Sequence, residues 1–398
     1  MTTDDLERLF LRHVCQTSPA PLGLVVARAS GSTVWDAAGR PYLDLLAGMG
    51  VANVGHAHPA VVAAVRAQAE RYLHVMVYGE FVQEPQVRLA ARLAALLPPG
   101  LDVVYFTSSG AEAVEGALKT ARKATGRTRL VAFEGGFHGD TFGALSVGGN
   151  PLYRRPFEPL LPDVDVLPFD DETALAAIDE RTAAVIVEPV QAEAGVRVPG
   201  PGFLAALRRR CDATGALLVL DEVVTGFGRT GRLFAHAHWD IAPDVLVLAK
   251  ALGGGLPLGA FIGAPRVMAT LAHDPPLAHV TTFGGHPLSC AAGLAALEVL
   301  LAADLPARAA ALGARLRDAL GALAGRGGLA TVRGVGMLLG LEFADSGACG
   351  AFARRAFREG LILNWTLHSD VVVRLAPPLV LTDAEAERAV AAVASALG

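Results

Sequence analysis

The chain has 398 residues, a net charge of −5 and 52% hydrophobic residues. That apolar fraction excludes disorder, the mildly acidic balance without a basic block argues against a nucleic-acid-binding module, and four scattered cysteines (Cys15, Cys211, Cys290, Cys349) exclude a disulfide scaffold. Only three of the 34 Lys and Arg residues are lysines (Lys119, Lys123, Lys250), so any function that needs a reactive amine must draw on these or on the N-terminus.

The start is acidic where a secretory signal would be basic, and no apolar run reaches the roughly 18 residues that span a bilayer, so the expected compartment is cytoplasmic. In chain order, periodicity predicts helices over 60–73 and 85–97, a strand over 103–106 and a helix over 111–124. Strands over 130–133 and 184–188, a helix over 202–214, strands over 217–221 and 245–248 and a helix over 289–302 follow. The strands are continuous apolar runs rather than alternating ones. They should be buried on both faces, as in a mostly parallel α/β sheet covered by helices. Near residue 305 the pattern changes to helix 306–323, strand 336–343, helix 348–358, strand 371–375 and helix 383–396, a smaller α+β unit. The expected division is an N-terminal segment (1–50) packed with the small domain, a large domain (51–304) and the small domain itself (305–398).

Four segments at predicted strand ends carry chemistry. In Phe106-Thr-Ser-Ser-Gly-Ala-Glu112 a strand runs into a helix, and Ser109 with Glu112 fits a capping box. Free amides at that helix start would seat a phosphate, and the same pattern fits an ordinary N-cap. In Phe133-Glu-Gly-Gly-Phe-His-Gly139 the glycines allow a sharp bend, and Phe137 and His138 project at the sheet edge. A planar ring could stack on Phe137, which also reads as a core aromatic. Leu218-Val-Leu-Asp-Glu-Val223 ends a buried strand in Asp221, which needs a partner: a protonated ring nitrogen, an arginine or a metal. Metal is the weakest of these. No His or Cys lies at ligand spacing, since His236 and His238 would point to opposite faces of a strand.

The fourth segment is Val245-Leu-Val-Leu-Ala-Lys250, followed by Gly253-Gly-Gly255. Lys119 and Lys123 lie four apart on one helix with Glu115 four before Lys119, the pattern of a solvated face with an ion pair. Lys250 instead ends an apolar strand, where desolvation lowers its pKa and frees the nucleophilic amine. All four segments sit at carboxyl ends of parallel strands and can converge on one crevice. Phosphate seat, stacking ring, acid for a ring nitrogen and Schiff-base lysine together describe a pyridoxal 5'-phosphate site.

With these motifs in this order, the chain resembles the class III pyridoxal-phosphate aminotransferases of fold type I, the group of the acetylornithine, ornithine and 4-aminobutyrate enzymes. The resemblance extends over nearly the whole chain. It includes Val34-Trp-Asp36, Gly39-Arg-Pro-Tyr-Leu-Asp44, Gly55-His-Ala-His-Pro59, Glu188-Pro-Val-Gln191, Asp221-Glu-Val-Val-Thr-Gly-Phe-Gly-Arg-Thr-Gly231, Thr281-Thr-Phe-Gly-Gly285 and Arg374-Leu-Ala-Pro-Pro378. It implies that Lys250 forms the Schiff base and shuttles the proton, and that Asp221 holds the ring nitrogen protonated. Phe137 and Val223 would sandwich the ring, and Ser109, Gly110 and Ala111 would bind the phosphate. His138 and Glu188, in shared motifs, join the cofactor set.

Thr282 would reach the phosphate of a neighbouring subunit's cofactor, which implies a homodimer. Arg374 would bind the substrate α-carboxylate, and Glu193 would neutralise it when only an ω-amine is present; Tyr78 reads equally as a pocket residue and as packing. The implied reaction is ping-pong transfer of an amino group to 2-oxoglutarate or a similar keto acid. Same-fold aminomutases, racemases and dialkylglycine decarboxylases are the alternatives, and the Arg374–Glu193 pair favours transfer. A dinucleotide-dependent oxidoreductase is disfavoured, because no strand is followed by Gly-x-Gly-x-x-Gly. Three positions depart from the family pattern: Asp140 stands where many members carry an arginine for the distal carboxylate, Val224 where a Gln contacts the cofactor hydroxyl, and His286 where Asn is common.

Overall fold

The computed structural model describes residues 2–77 and 79–398. In chain order the strands are β1 (Val26–Ser30), β2 (Thr33–Asp36), β3 (Pro41–Asp44), β4 (Val103–Thr107), β5 (Arg129–Phe133), β6 (Val164–Leu167), β7 (Thr182–Val187), β8 (Leu217–Asp221), β9 (Val245–Leu248) and β10 (Gly259–Gly263). They continue with β11 (Leu329–Val335), β12 (Leu338–Phe343), β13 (Leu361–Ile362), β14 (Asn364–Thr366) and β15 (Ser369–Leu375). The apolar runs form the middle of a seven-stranded sheet of order β4-β10-β9-β8-β7-β5-β6. Six of these strands point the same way, and β10 is antiparallel to both neighbours.

Burial on both faces follows from the strict alternation of side chains along a strand. Leu218 and Leu220 of β8 join one core cluster, and Leu217 and Val219 join the other. Neither face meets solvent, so no polar residue is needed until the strand ends at Asp221. The helix Gly110–Thr125 lies so close on the second face that a Cβ at Gly116 would stand 2.2 Å from the Phe261 ring.

Two smaller sheets flank this layer. One has the order β11-β12-β15-β14 and carries the helices Leu305–Gly321, Ser346–Arg358 and Asp383–Leu397. The other has the order β1-β2-β3-β13, where Leu361 and Ile362 pair in parallel with Leu43 and Asp44. No single helix among the described residues is long and apolar enough to cross a membrane.

Two expectations fail here. His236 and His238 lie in a short 3-10 turn, not a strand, and His236 is held by the buried Glu222 carboxylate at 2.8 Å. Glu115 does not pair with Lys119 either. Its carboxylate accepts from Thr141 Oγ1 and the Gly143 amide, while Lys119 Nζ meets His279 Nδ1 and Lys123 Nζ the His273 carbonyl. A carboxylate within reach of free amides at a chain turn is satisfied there in preference to a flexible lysine.

Candidate active site

Five strand ends converge at one sheet edge around a cavity of about 410 Å³. From β4 the chain enters the helix Gly110–Thr125 through Ser109, its N-cap. Ser109 Oγ accepts from the Glu112 amide at 3.2 Å, but the Glu112 carboxylate accepts from the Ser108 amide at 2.6 Å instead of from the cap's own N–H. The capping box is thus shifted by one residue. Gly110 and Ala111, which line the cavity, keep amides without an intrahelical acceptor at the positive end of the helix dipole. The turn fits only because residue 259 is glycine: a Cβ there would stand 2.1 Å from the Ser109 carbonyl oxygen.

Asp221 ends β8 and is 4% exposed. Its Oδ2 lies 2.7 Å from His138 Nδ1, and its Oδ1 accepts from the Val223 amide at 3.0 Å. No arginine pairs with it among the described residues. Burial opposes a charge on His138, yet the hydrogen bond and charge of Asp221, with the charge of Glu188, outweigh it and hold the imidazole pKa above its usual value. Burial pushes Glu188 up to about 7 against the attraction of His138. Glu188 accepts from the Phe137 amide at 2.9 Å and the Ala192 amide at 3.1 Å, so it ties the Phe-His-Gly loop to the end of β7.

Lys250 follows β9 with φ +48, a left-handed conformation that costs a side-chain-bearing residue about 1–3 kcal/mol and clusters at functional sites. The turn aims the lysine into the cavity. Its exposed surface is therefore the cavity's, and removal from bulk water lowers the amine pKa, with Arg374 adding to the effect and Glu193 opposing it.

Arg374, on β15, is 2% exposed and sits behind Glu193, which lines the cavity. Arg374 Nη1 donates to Glu193 Oε1, whereas among the described residues Nη2 faces only the Met49 thioether at 3.4 Å. Met49 itself lies in a run of four residues with positive φ, Ala47 (φ 51), Gly48 (φ 59), Met49 (φ 69) and Gly50 (φ 82). Burial raises the Glu193 pKa, but the Arg374 charge and hydrogen bond and the Leu367 amide reverse this and leave it lowered.

The sequence-predicted residues Ser109, Gly110, Ala111, Phe137, His138, Glu188, Glu193, Asp221, Val223 and Lys250 all line this one cavity. Arg374 stands one shell behind. Thr282 does not line this cavity; it is exposed on a loop beside β4. Tyr78 lies outside the described residues. Val51 and 256–258 also line the cavity without having been read from sequence, and Ser108 and Gly255 do so from inside motifs read for their neighbours. Val51 and 256–258 contribute backbone and apolar surface, which carries no motif; only the triple glycine marked the 255–258 loop. Of the departures, Val224 lines the cavity and packs with Val190, Val196 and Ala376. Asp140 is exposed. His286 caps the helix Pro287–Ala302 by accepting the Leu288 amide at 3.3 Å, a task an Asn side-chain oxygen performs equally.

Two free helix-start amides and a serine hydroxyl suit a phosphate, Phe137 and Val223 offer apolar walls to a flat ring, and a buried carboxylate suits a protonated ring nitrogen. On this doubly covered α/β sheet these groups define a pyridoxal 5'-phosphate enzyme of fold type I. The sequence profile of the class-III aminotransferases matches residues 15–397. The acetylornithine aminotransferases of Methanopyrus kandleri and Methanosarcina mazei are 46% and 44% identical, over 97% and 90% of this chain and 96% and 88% of theirs. The ornithine aminotransferase of Toxoplasma gondii, in which the active site holds PLP at partial occupancy, superposes with a TM-score of 0.93 at 34% identity, covering 100% of this chain and 94% of that one. An (S)-enantioselective omega-transaminase from Thermomicrobium roseum superposes with a TM-score of 0.91 at 33% identity, covering 100% and 98%. The chain belongs to the class-III aminotransferases. It is a PLP-dependent transaminase that takes an amino donor and a keto acid, and the oxidoreductase and mutase readings fall away.

Proposed function

We propose that the enzyme takes its amino group from the ω-amine of an amino acid or amine and passes it to 2-oxoglutarate or a similar keto acid, using one pocket for both half-reactions. The observation that carries this is the Glu193–Arg374 contact. A buried arginine neutralised by a movable carboxylate, with one guanidinium nitrogen on a weakly accepting thioether, keeps donors in reserve for a substrate carboxylate. With Glu193 in place the pocket suits an uncharged substrate end; with Glu193 turned aside it suits glutarate-like acids.

Bound here, pyridoxal phosphate supplies an aldehyde for the amine and an electron-withdrawing ring. The Gly110 and Ala111 amides and the Ser109 hydroxyl would hold its phosphate, and Phe137 and Val223 would flank its ring. Asp221 would keep a proton on the ring nitrogen, itself steadied by His138 and the Val223 amide. Lys250 Nζ, whose pKa burial lowers, would lift a proton from the substrate carbon and return it one position away. Glu188, by holding the Phe137 amide, would fix the ring-stacking residue.

The names of the closely similar relatives support acetylornithine as donor, while Asp140, an anion where an arginine would meet the distal carboxylate, favours donors whose far end is neutral or cationic, such as ornithine, lysine or simple amines. A donor screen decides: the pyridoxamine form should return to the aldehyde form with 2-oxoglutarate, and failure with every keto acid tried would overturn transfer. Faster conversion with acetylornithine than with lysine or ornithine would remove the role given to Asp140.

Exposed Thr282, flanked in the chain by exposed Val280 and Phe283, supports a homodimer in which Thr282 reaches the neighbouring phosphate seat. Sedimentation should return twice the protomer mass, and a monomer that is fully active would refute the shared site. The division at 50/51 and 304/305 is supported by β3 pairing with β13 and by the sheet change after the helix Pro287–Ala302. A cytoplasmic location is proposed with this role in amino-group metabolism, to be checked by fractionation.

A further inference from the structure

Glu193 is gripped from a side the sequence did not suggest. Leu367 and His368 form the turn between β14 and β15. The Leu367 amide donates to Glu193 Oε2 at 2.9 Å, and the His368 amide donates to the Glu193 carbonyl oxygen at 2.9 Å. Two successive amides therefore hold the carboxylate and the backbone of one residue. The turn is locked in its own right. His368 Nδ1 lies 3.1 Å from the Gly135 carbonyl oxygen, which can only accept, so Nδ1 carries the proton. The His368 ring stacks on Tyr153 (5.1 Å, 28°) and meets Phe137 edge-on (5.8 Å, 80°), and Tyr153 Oη donates to the Leu367 carbonyl at 2.6 Å.

We infer that this turn is the pivot of the Arg374–Glu193 exchange, with Leu367 N–H as the fixed point and His368 as the positioning residue that keeps it fixed. This rests on the reading of Glu193 as a movable partner of Arg374. When a substrate carboxylate takes Arg374, Glu193 gives up the ion pair it makes in this structure. A buried carboxylate left without a partner is costly. Rotation that keeps the Oε2 bond to Leu367 leaves one charge-assisted hydrogen bond intact throughout, so the released state depends on the turn more than the paired state does. Loosening the turn should therefore penalise the carboxylate-binding state selectively.

The test uses the PLP-loaded enzyme with His368→Ala, His368→Asn and Glu193→Gln. Glutarate, which has both carboxylates but no keto group to react, serves as the binding probe in calorimetry, beside single-turnover rates for an amine donor. His368→Ala should weaken glutarate about tenfold, the equivalent of one hydrogen bond to a charge, and leave the amine half-reaction within about twofold. His368→Asn, which keeps a donor where Nδ1 stands, should recover most of the loss. Unchanged glutarate binding, or an equal loss in both readouts, would overturn the pivot. Glu193→Gln separates the two readings: it should slow the amine half-reaction and tighten glutarate. If it changes neither preference, the exchange reading itself fails; if it does and His368→Ala does not, only the pivot fails.

Discussion

Lys250→Ala should fold, bind cofactor phosphate, lack the visible absorption band of a lysine–cofactor linkage, and turn over slower by roughly 10³-fold, the contribution of one positioned proton-transfer group. The band is the sharper readout, because no second lysine can supply it. Lys119 and Lys123 lie outside the cavity, on the outer face of the helix Gly110–Thr125, engaged by His279 and His273. Burial of the Lys250 amine both lowers its pKa and keeps it from bulk water, so its loss leaves an apolar gap rather than a replacement base. Added methylamine should restore part of the rate, since it fits the space that the side chain leaves. An unchanged spectrum in this variant would sink the assignment of the whole site.

Asp221→Asn keeps the shape and the bond from the Val223 amide but removes the charge. Turnover should fall by about 10²–10³-fold, the usual effect of deleting one preorganised electrostatic contact in a water-poor site. The cofactor band should remain, shifted, because Lys250 is untouched. His138 should lose its raised pKa as well, since Asp221 supplies most of what opposes burial there. The half-reaction measured in a single turnover checks this. A rate within about threefold of the parent would mean that Asp221 steadies His138 only and leaves the ring nitrogen alone.

Much of this site could be read from residues because chemistry-bearing side chains end apolar runs. β8 and β9 keep the bounds expected for them, since each continuous hydrophobic stretch is closed by a residue that cannot stay in the sheet interior. β10 was not foreseen. Its Gly-Ala-Phe-Ile-Gly sequence has glycines at both ends, one of them required by the Ser109 carbonyl rather than by the strand. The β14–β15 turn escaped for another reason. Leu367 and His368 hold Glu193 through backbone amides, which any residue except proline presents, so composition leaves no trace of the contact. Glu115 was misread because helix spacing suggested Lys119, and only the folded loop at 141–143 offers it better donors.

The pairing of β13 with β3 governs how the polypeptide can acquire its fold as it is made. Leu43 and Asp44 find their parallel partners in Leu361 and Ile362, and nearby Arg40 bonds to the Arg358 carbonyl 318 residues away in the chain. On a ribosome, that edge stays open until nearly all of the remaining chain has emerged. The middle of the central sheet is less constrained, since β5, β7, β8 and β9 pair with strands made shortly before or after them, and only its edge strand β4 waits for the later β10. Synthesis therefore favours a central layer formed early and an N-terminal edge that waits, exposed to pairing with other chains in the interval. Chaperone dependence and aggregation during rapid expression should concentrate on residues 26–44, and ribosome-stalled chains ending near 330 should be cleaved there by protease while the central layer resists.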